Sequence, residues 1–291
     1  RISSPVQIPG TTWKQLACME SASMATKTDG TLWAWGSNDE GYLGINSLVS
    51  YSSPVQVPGT RWGTVTTQQG VQFTTWDAGE TLGAYIDLDN NLFIAGRGEN
   101  YGRTASVVPA PNINISSPIQ IPGTTWKYAI SNPKNVYATK TDGTLWSWGQ
   151  DDEGLLAQGA LVSRSSPIQI PGTSWSSHIM AGAGNAAIRT DGTLWTWGKN
   201  LPGVLGHNDR AHRSSPTQVP GTTWDDIWIA QYSAGGKKTD GTLWEWGYNG
   251  FGQFGTNQPT STQISSPVQI GSDTDWTKYK GGADVMAIKQ L

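Results

Sequence analysis

The sequence predicts an all-β fold, a β-propeller of repeated four-stranded blades, on three observations. A Ser-Ser-Pro-x-Gln phrase recurs along the whole chain. A Thr-Asp-Gly-Thr-Leu-Trp-x-Trp-Gly phrase recurs between its copies. The 291 residues hold 36 Gly, 16 Pro and 16 Trp but only 14% charged residues. Such a composition belongs to many short strands joined by tight turns, and helix-period apolar patterns are scarce. One radial β domain of this length is ordinary.

The first phrase carries its proline at Pro5, Pro54, Pro118, Pro167, Pro216 and Pro267, and a tryptophan follows each copy, at Trp13, Trp62, Trp126, Trp175, Trp224 and Trp276. Proline cannot donate a ladder hydrogen bond, so this phrase reads as a short outer strand. The tryptophan opens the next hairpin. The second phrase spans 28–36, 141–149, 190–198 and 239–247, with an outline at 88–96. Asp29-Gly30 and its equivalents predict a two-residue type I′ hairpin turn, in which both central residues need positive φ. Asn90 stands in for glycine in the second unit, as the other residue that accepts the left-handed region.

After the turn, strand alternation sends Leu32 and Ala34 to one face and Trp33 and Trp35 to the other. Each tryptophan can bury roughly 150 to 250 Å², enough to make the paired rings a wall between neighbouring sheets. Gly36 and its equivalents end that strand. Four strands per unit result, and a sheet of some 50 residues that cannot bury both faces alone packs radially.

The units run 13–58, 62–122, 126–171, 175–220, 224–270 and 276–291, the last completed by 1–9, in one propeller domain over 1–291. Six blades are expected, closed by pairing of the strand Ile2 to Ile8 with the C-terminal hairpin, or seven if sequence precedes Arg1. The chain opens on Arg1 with the repeat already in progress, which reads as part of a longer polypeptide.

Trp-Gly-x-Asn-x-x-Gly-x-Leu-Gly after an Asp-Gly hairpin, every 50 or so residues, resembles the repeats of the regulator of chromosome condensation superfamily. The spelling Ser-Ser-Pro-x-Gln-x-Pro-Gly-Thr-x-Trp with Lys-Thr-Asp-Gly-Thr-Leu-Trp-x-Trp-Gly is more narrowly similar to repeat proteins of marine bacteriophages. The resemblance spans essentially the whole chain. It implies a non-enzymatic binding or structural module, virion-associated or surface-displayed, that contacts other virion or surface proteins, a host receptor or a glycan. The superfamily also implies an alternative, an intracellular protein-binding regulator such as a small-GTPase exchange factor. The family's Gly-x-x-His hairpin start is absent, so exchange-factor residues do not carry over. A glycan-binding lectin or hydrolase is a third class.

The chemistry-bearing residues are few. His207 and His212 near Asp209 have the spacing of a metal pair, but they sit in an inter-strand loop with Arg210 and Arg213 and read as solvated. Asp87-x-Asp89-Asn90-Asn91 starts like a calcium loop yet lacks the later ligands, and it aligns with the hairpin turns of the other units. No nucleophile signature or phosphate loop is present, and no cofactor is expected. A net charge of −3 offers no basic surface for nucleic acid. Cys18, the single cysteine, reads as a buried free thiol. No apolar run spans a membrane and no signal-peptide pattern is visible, so membrane insertion is not expected.

The second unit departs from the pattern. Trp62 to Asp89 spans 27 residues, against 16 from Trp13 to Asp29, and four more residues separate Gly96 from Pro118 than separate Gly36 from Pro54. Loops on a rigid scaffold carry specificity. The candidate contact residues are therefore Trp76, Asp77, Glu80, Tyr101 and Arg103.

Overall fold

The computed structural model of the chain describes residues 4, 6–18, 21–66, 82–98, 113–132, 134–229, 232–250, 252, 254, 263–280 and 286–289. The first blade is β1 (Trp13–Cys18), β2 (Ala22–Lys27), β3 (Leu32–Gly36) and β4 (Tyr51–Val57). The second is β5 (Trp62–Thr66), β6 (Leu82–Asp87), β7 (Leu92–Gly98) and β8 (Ile113–Gln120). The third is β9 (Trp126–Ser131), β10 (Asn135–Lys140), β11 (Leu145–Gly149) and β12 (Arg164–Gln169). The fourth is β13 (Trp175–Ala181), β14 (Gly184–Arg189), β15 (Leu194–Gly198) and β16 (Arg213–Gln218). The fifth is β17 (Trp224–Ile229), β18 (Ser233–Lys238), β19 (Leu243–Tyr248) and β20 (Gln263–Gln269), and a hairpin of β21 (Trp276–Lys280) and β22 (Met286–Lys289) follows. Every sheet is an antiparallel meander in chain order.

The hairpin between the second and third strands differs from the expected type I′ turn. Gly30 N–H bonds the Lys27 carbonyl at 3.1 Å, Lys27 N–H bonds the Thr31 carbonyl at 2.9 Å, and within the turn only Gly30 has positive φ, 81°. This is a three-residue loop, a type I turn closed by a left-handed residue. The Asp carboxylate explains the preference. Asp29 Oδ1 accepts from the Thr31 N–H at 3.0 Å and its hydroxyl at 2.6 Å, and Thr31 Oγ1 accepts from Trp33 Nε1 at 2.8 Å. The same relay joins Asp142, Thr144 and Trp146; Asp191, Thr193 and Trp195; and Asp240, Thr242 and Trp244. The threonine hydroxyl, ahead of the backbone N–H, holds each of these four carboxyls below the usual carboxylate range. In the second blade Asn90 takes the left-handed position with φ 62°, as expected. Replacing Thr144 with valine is expected to cost about 1 kcal/mol, by stranding the Trp146 indole N–H. A urea midpoint that did not move would exclude a structural role for the relay.

Each blade from the second to the fifth packs its ring-bearing face on the apolar face of the blade before it. Trp126 and Trp148 meet Leu92, Ile94 and Ile121 of the second blade, and Trp224 and Trp246 meet Leu194, Leu205 and Val219 of the fourth. The wall is therefore present, and it is pinned by hydrogen bonds as well as by area. Trp197 Nε1 donates to the Leu155 carbonyl at 2.9 Å and Trp246 Nε1 to the Val204 carbonyl at 2.7 Å, both in the preceding blade's turn. Ala95 replaces the second tryptophan in the second blade. There the fully buried Tyr85 donates instead to the Tyr42 carbonyl at 2.8 Å.

Those turns are organised by a buried side chain one position after Trp-Gly-x. Asn38 Oδ1 accepts from Leu43 N–H at 3.0 Å, and its amide donates to the Ser47 and Val49 carbonyls. Asn200 and Asn249 accept equivalently from Leu205 and Phe254, and Asp151 from Leu156. The turn of one blade also bonds the outer strand of the next: Asn46, Gly159 and Asn208 N–H reach the Ser116, Ser214 and Ser265 carbonyls, each at 2.6 Å.

The expected count of six blades is corrected. Among the described residues there are five complete four-stranded blades and one two-stranded hairpin, and no sheet joins the two ends. Ile8 occupies the position of Val57, Ile121, Ile170 and Val219; those four are 0% exposed, whereas Ile8 is 38% exposed and Val6 67%. The cause is register. A Ser-Ser-Pro strand pairs with the Trp-x-Trp strand, as Gln169 pairs with Trp146, and the hairpin β21–β22 brings no such strand. Residues 1–3 and 5 of the proposed closing strand lie outside the described residues.

Candidate binding cleft

The candidate contact residues Trp76, Asp77, Glu80, Tyr101 and Arg103 lie outside the described residues. The histidine pair is described, and it does not converge on a metal position. Thr196 Oγ1 gives its proton to the Leu205 carbonyl at 2.7 Å, so at 2.8 Å His207 Nε2 is the donor to Thr196. Burial, with Arg213 beside it, holds His207 below the usual histidine range. His212 Nδ1 accepts from Asn200 N–H at 2.9 Å, the part played by Ser50 and Ser163 hydroxyls in other blades. Asp209 pairs with Arg213. Both histidines therefore serve the turn, and no group of three or more His, Cys, Asp or Glu fit for a metal occurs among the described residues.

The Asp87 segment is a turn, as expected. Asp87 Oδ1 accepts from the Asp89 and Asn91 N–H groups at 2.9 and 2.8 Å, and Oδ2 from the Asn91 amide at 2.9 Å. Asp87 stands where the first unit has Lys27, and that exchange bears on the rings beside it.

In four blades a cation lies between two tryptophan rings. Lys27 Nζ is 4.7 and 4.3 Å from the ring centres of Trp13 and Trp33, and Lys140 is 4.7 and 4.6 Å from those of Trp126 and Trp146. Arg189 Cζ sits 4.5 and 4.1 Å from Trp175 and Trp195, and Lys238 Nζ 4.9 and 4.1 Å from Trp224 and Trp244. The placement follows from register, because the last residue of the second strand faces the first tryptophan across the pair. The ring quadrupoles attract the charge.

In the second blade that register position is Asp87, opposite Trp62, and the other ring is Phe93. The rings remain together, with centroids 5.3 Å apart and planes at 78°. Among the described residues no cation lies between them, and the space opens as a cleft of ≈ 580 Å³ lined by Pro58, Gly59, Arg61, Trp62, Asp87 and Phe93, and by Asn46 and Pro118 toward the first blade's turn. Arg61 is tied to Asp89 through two hydrogen bonds, at 2.7 and 3.1 Å. Asp89 is available for that pairing because Asn91 stands where the relay threonine stands elsewhere, and Phe93 has no indole N–H to satisfy.

The family model of the regulator of chromosome condensation (RCC1) repeat matches residues 29–68, 142–188 and 191–239. These three segments are RCC1 repeats. Each matched RCC1 repeat begins in a hairpin turn, at Asp29, Asp142 or Asp191, and runs on into the next blade, so the repeat of the sequence straddles two sheets. No curated protein sequence matches the chain. Human WBSCR16 superposes with a TM-score of 0.75 at 20% identity, over 98% of this chain and 74% of that one. Prp20p from Saccharomyces cerevisiae superposes at 0.73 and 17%, over 95% and 69%. The yeast RCC1 (Prp20) complex with Kap60 gives 0.61 and 15%, over 96% and 81%. These likenesses establish an RCC1-type propeller fold. The narrower likeness to bacteriophage repeat proteins is not carried by the matched family or by these structures.

Proposed function

We propose that this RCC1-repeat chain is a non-enzymatic, protein-binding regulator, with the irregular second blade as its contact region. The observation that carries the reading is the contrast between four blades that fill their ring cradle from within and one that leaves it open toward the surface. Of the perturbed side chains elsewhere, His207 and Asp151 are held by turn hydrogen bonds, and Glu245 is 1% exposed, away from any open surface. One structural neighbour, seen in two structures, binds proteins: Prp20 is described with its binding to Gsp1p and histones, and bound to Kap60. A virion or surface-displayed setting gains no support from the fold or these relatives, so the regulator reading is preferred. Among the described residues no helix is long and apolar enough to cross a membrane.

The test is reconstitution. Partners captured by crosslinking would be purified and titrated individually against the chain. Saturable binding at micromolar concentration that weakens when second-blade residues are changed supports the reading. Absence of any saturable protein partner, or affinity indifferent to the second blade, overturns it. Release of bound nucleotide from a captured small GTPase would identify the exchange-factor branch.

A further inference from the structure

We propose that the Trp62–Phe93 cradle of the second blade takes the basic side chain of a partner polypeptide, a lysine or arginine, so that the partner supplies the cation that the other blades supply themselves. The inference deepens the protein-binding reading and rests on it. The chain itself shows what this geometry holds: three lysines and one arginine, at 4.1 to 4.9 Å from the ring centres, occupy the equivalent positions.

Three local features fit an external cation. The rings are in place before binding, because Trp62 is 7% exposed, packs at 5.8 Å on the fully buried Tyr85, and donates its indole N–H to the Pro58 carbonyl at 3.2 Å. The charge is reversed at the register position that normally bears the cation, so Asp87 lines the cleft as a carboxylate. It is oriented there by the N–H groups of Asp89 and Asn91 and by the Asn91 amide. Arg61, which lines the cleft, is held by Asp89 and does not stack over either ring as Arg189 stacks over Trp195. A cation entering between Trp62 and Phe93 therefore meets two ring faces and a negative charge, a combination that favours basic over neutral side chains.

The experiment titrates the full chain with acetyl-Gly-Lys-Gly-amide, its arginine counterpart and its Nε-acetyl-lysine counterpart, following the Trp62 indole resonance. The lysine or arginine peptide is expected to give a saturable shift at Trp62, with binding at least tenfold weaker once the lysine is acetylated. Asp87→Lys supplies the cation internally, as Lys27 does, and is expected to abolish the shift. Asp87→Asn keeps an acceptor for Asn91 and is expected to weaken binding at least threefold. Asp152→Lys changes net charge equally on the third blade and is expected to leave binding unchanged. If Asp87→Lys does not fold, the asparagine variant and the acetylated peptide still decide. No saturable shift at Trp62, equal binding of acetylated peptide, or undiminished binding by Asp87→Asn would overturn the proposal. The two readings fail separately: a reconstituted partner that binds Asp87→Lys as well as wild type keeps the protein-binding reading and removes this one.

Discussion

Trp246→Ala is expected to destabilise the protein by about 3 to 5 kcal/mol, the range for removing a large ring from a core that cannot collapse around the void. Trp246 is 0% exposed, lies 5.9 Å from Trp224 at an interplanar angle of 71°, and spans the boundary between the fourth and fifth blades. The void would be shared by two sheets, neither of which can move in without breaking the ladder on its far side. Trp246→Phe keeps most of the ring but strands the Val204 carbonyl, and should cost about 1 to 3 kcal/mol. Trp244→Ala, in the partly exposed position of the same pair, should cost less than half as much as Trp246→Ala. Urea titrations of the three variants check this. Equal losses for Trp244→Ala and Trp246→Ala would mean that the boundary position is not what matters.

Glu245→Thr is expected to stabilise the protein, by roughly 3 kcal/mol at pH 7, and to remove a decline in stability that the wild type shows as pH rises from 4.5 toward 8. Glu245 is 1% exposed, and among the described residues neither carboxyl oxygen has a hydrogen-bond partner. Burial pushes its pKa up from 4.5 to about 8. The folded state therefore binds more protons than the unfolded state between those values. The stability contribution is fully present below pH 4.5, falls as pH rises through the window, and levels off above about 8. The same strand position holds Ser147 and Thr196 in the third and fourth blades, where each hydroxyl donates to a turn carbonyl, Leu156 at 2.8 Å and Leu205 at 2.7 Å. Threonine at 245 has the Phe254 carbonyl as the corresponding acceptor. Denaturation at a series of pH values distinguishes the outcomes: parallel profiles for wild type and variant would show that Glu245 is not the group responsible.

Much of the repeat was legible because its signals are local. Proline marked the outer strands, Asp-Gly or Asp-Asn the hairpins, and the spacing of Trp33 and Trp35 the packing face. The turn type was misjudged because both candidate loops use the same Asp-Gly pair. The choice depended on Thr31, whose hydroxyl joins the carboxylate to an indole two residues further on. The buried role of Asn38 was readable in outline, since the residue recurs after Trp-Gly-x, but its acceptors lie 9 and 11 residues away. The cleft was overlooked for a related reason. The hairpin alignment puts Asp87 in the place of Lys27, yet the meaning of that exchange lies in the cross-strand partner Trp62, which is 25 residues distant in sequence.

The sequence by itself determined the all-β class, the four-strand unit and the position of the irregular unit, because each follows from nearest-neighbour dihedral preferences and a period of two. Only the tertiary structure decided that, among the described residues, no sheet joins the two ends, Glu245 is buried without a hydrogen-bond partner, and one ring cradle holds no cation of the chain's own. Those outcomes depend on which residues meet across strands and between blades, where pairing, desolvation and ring geometry act over distances that the order of residues does not express.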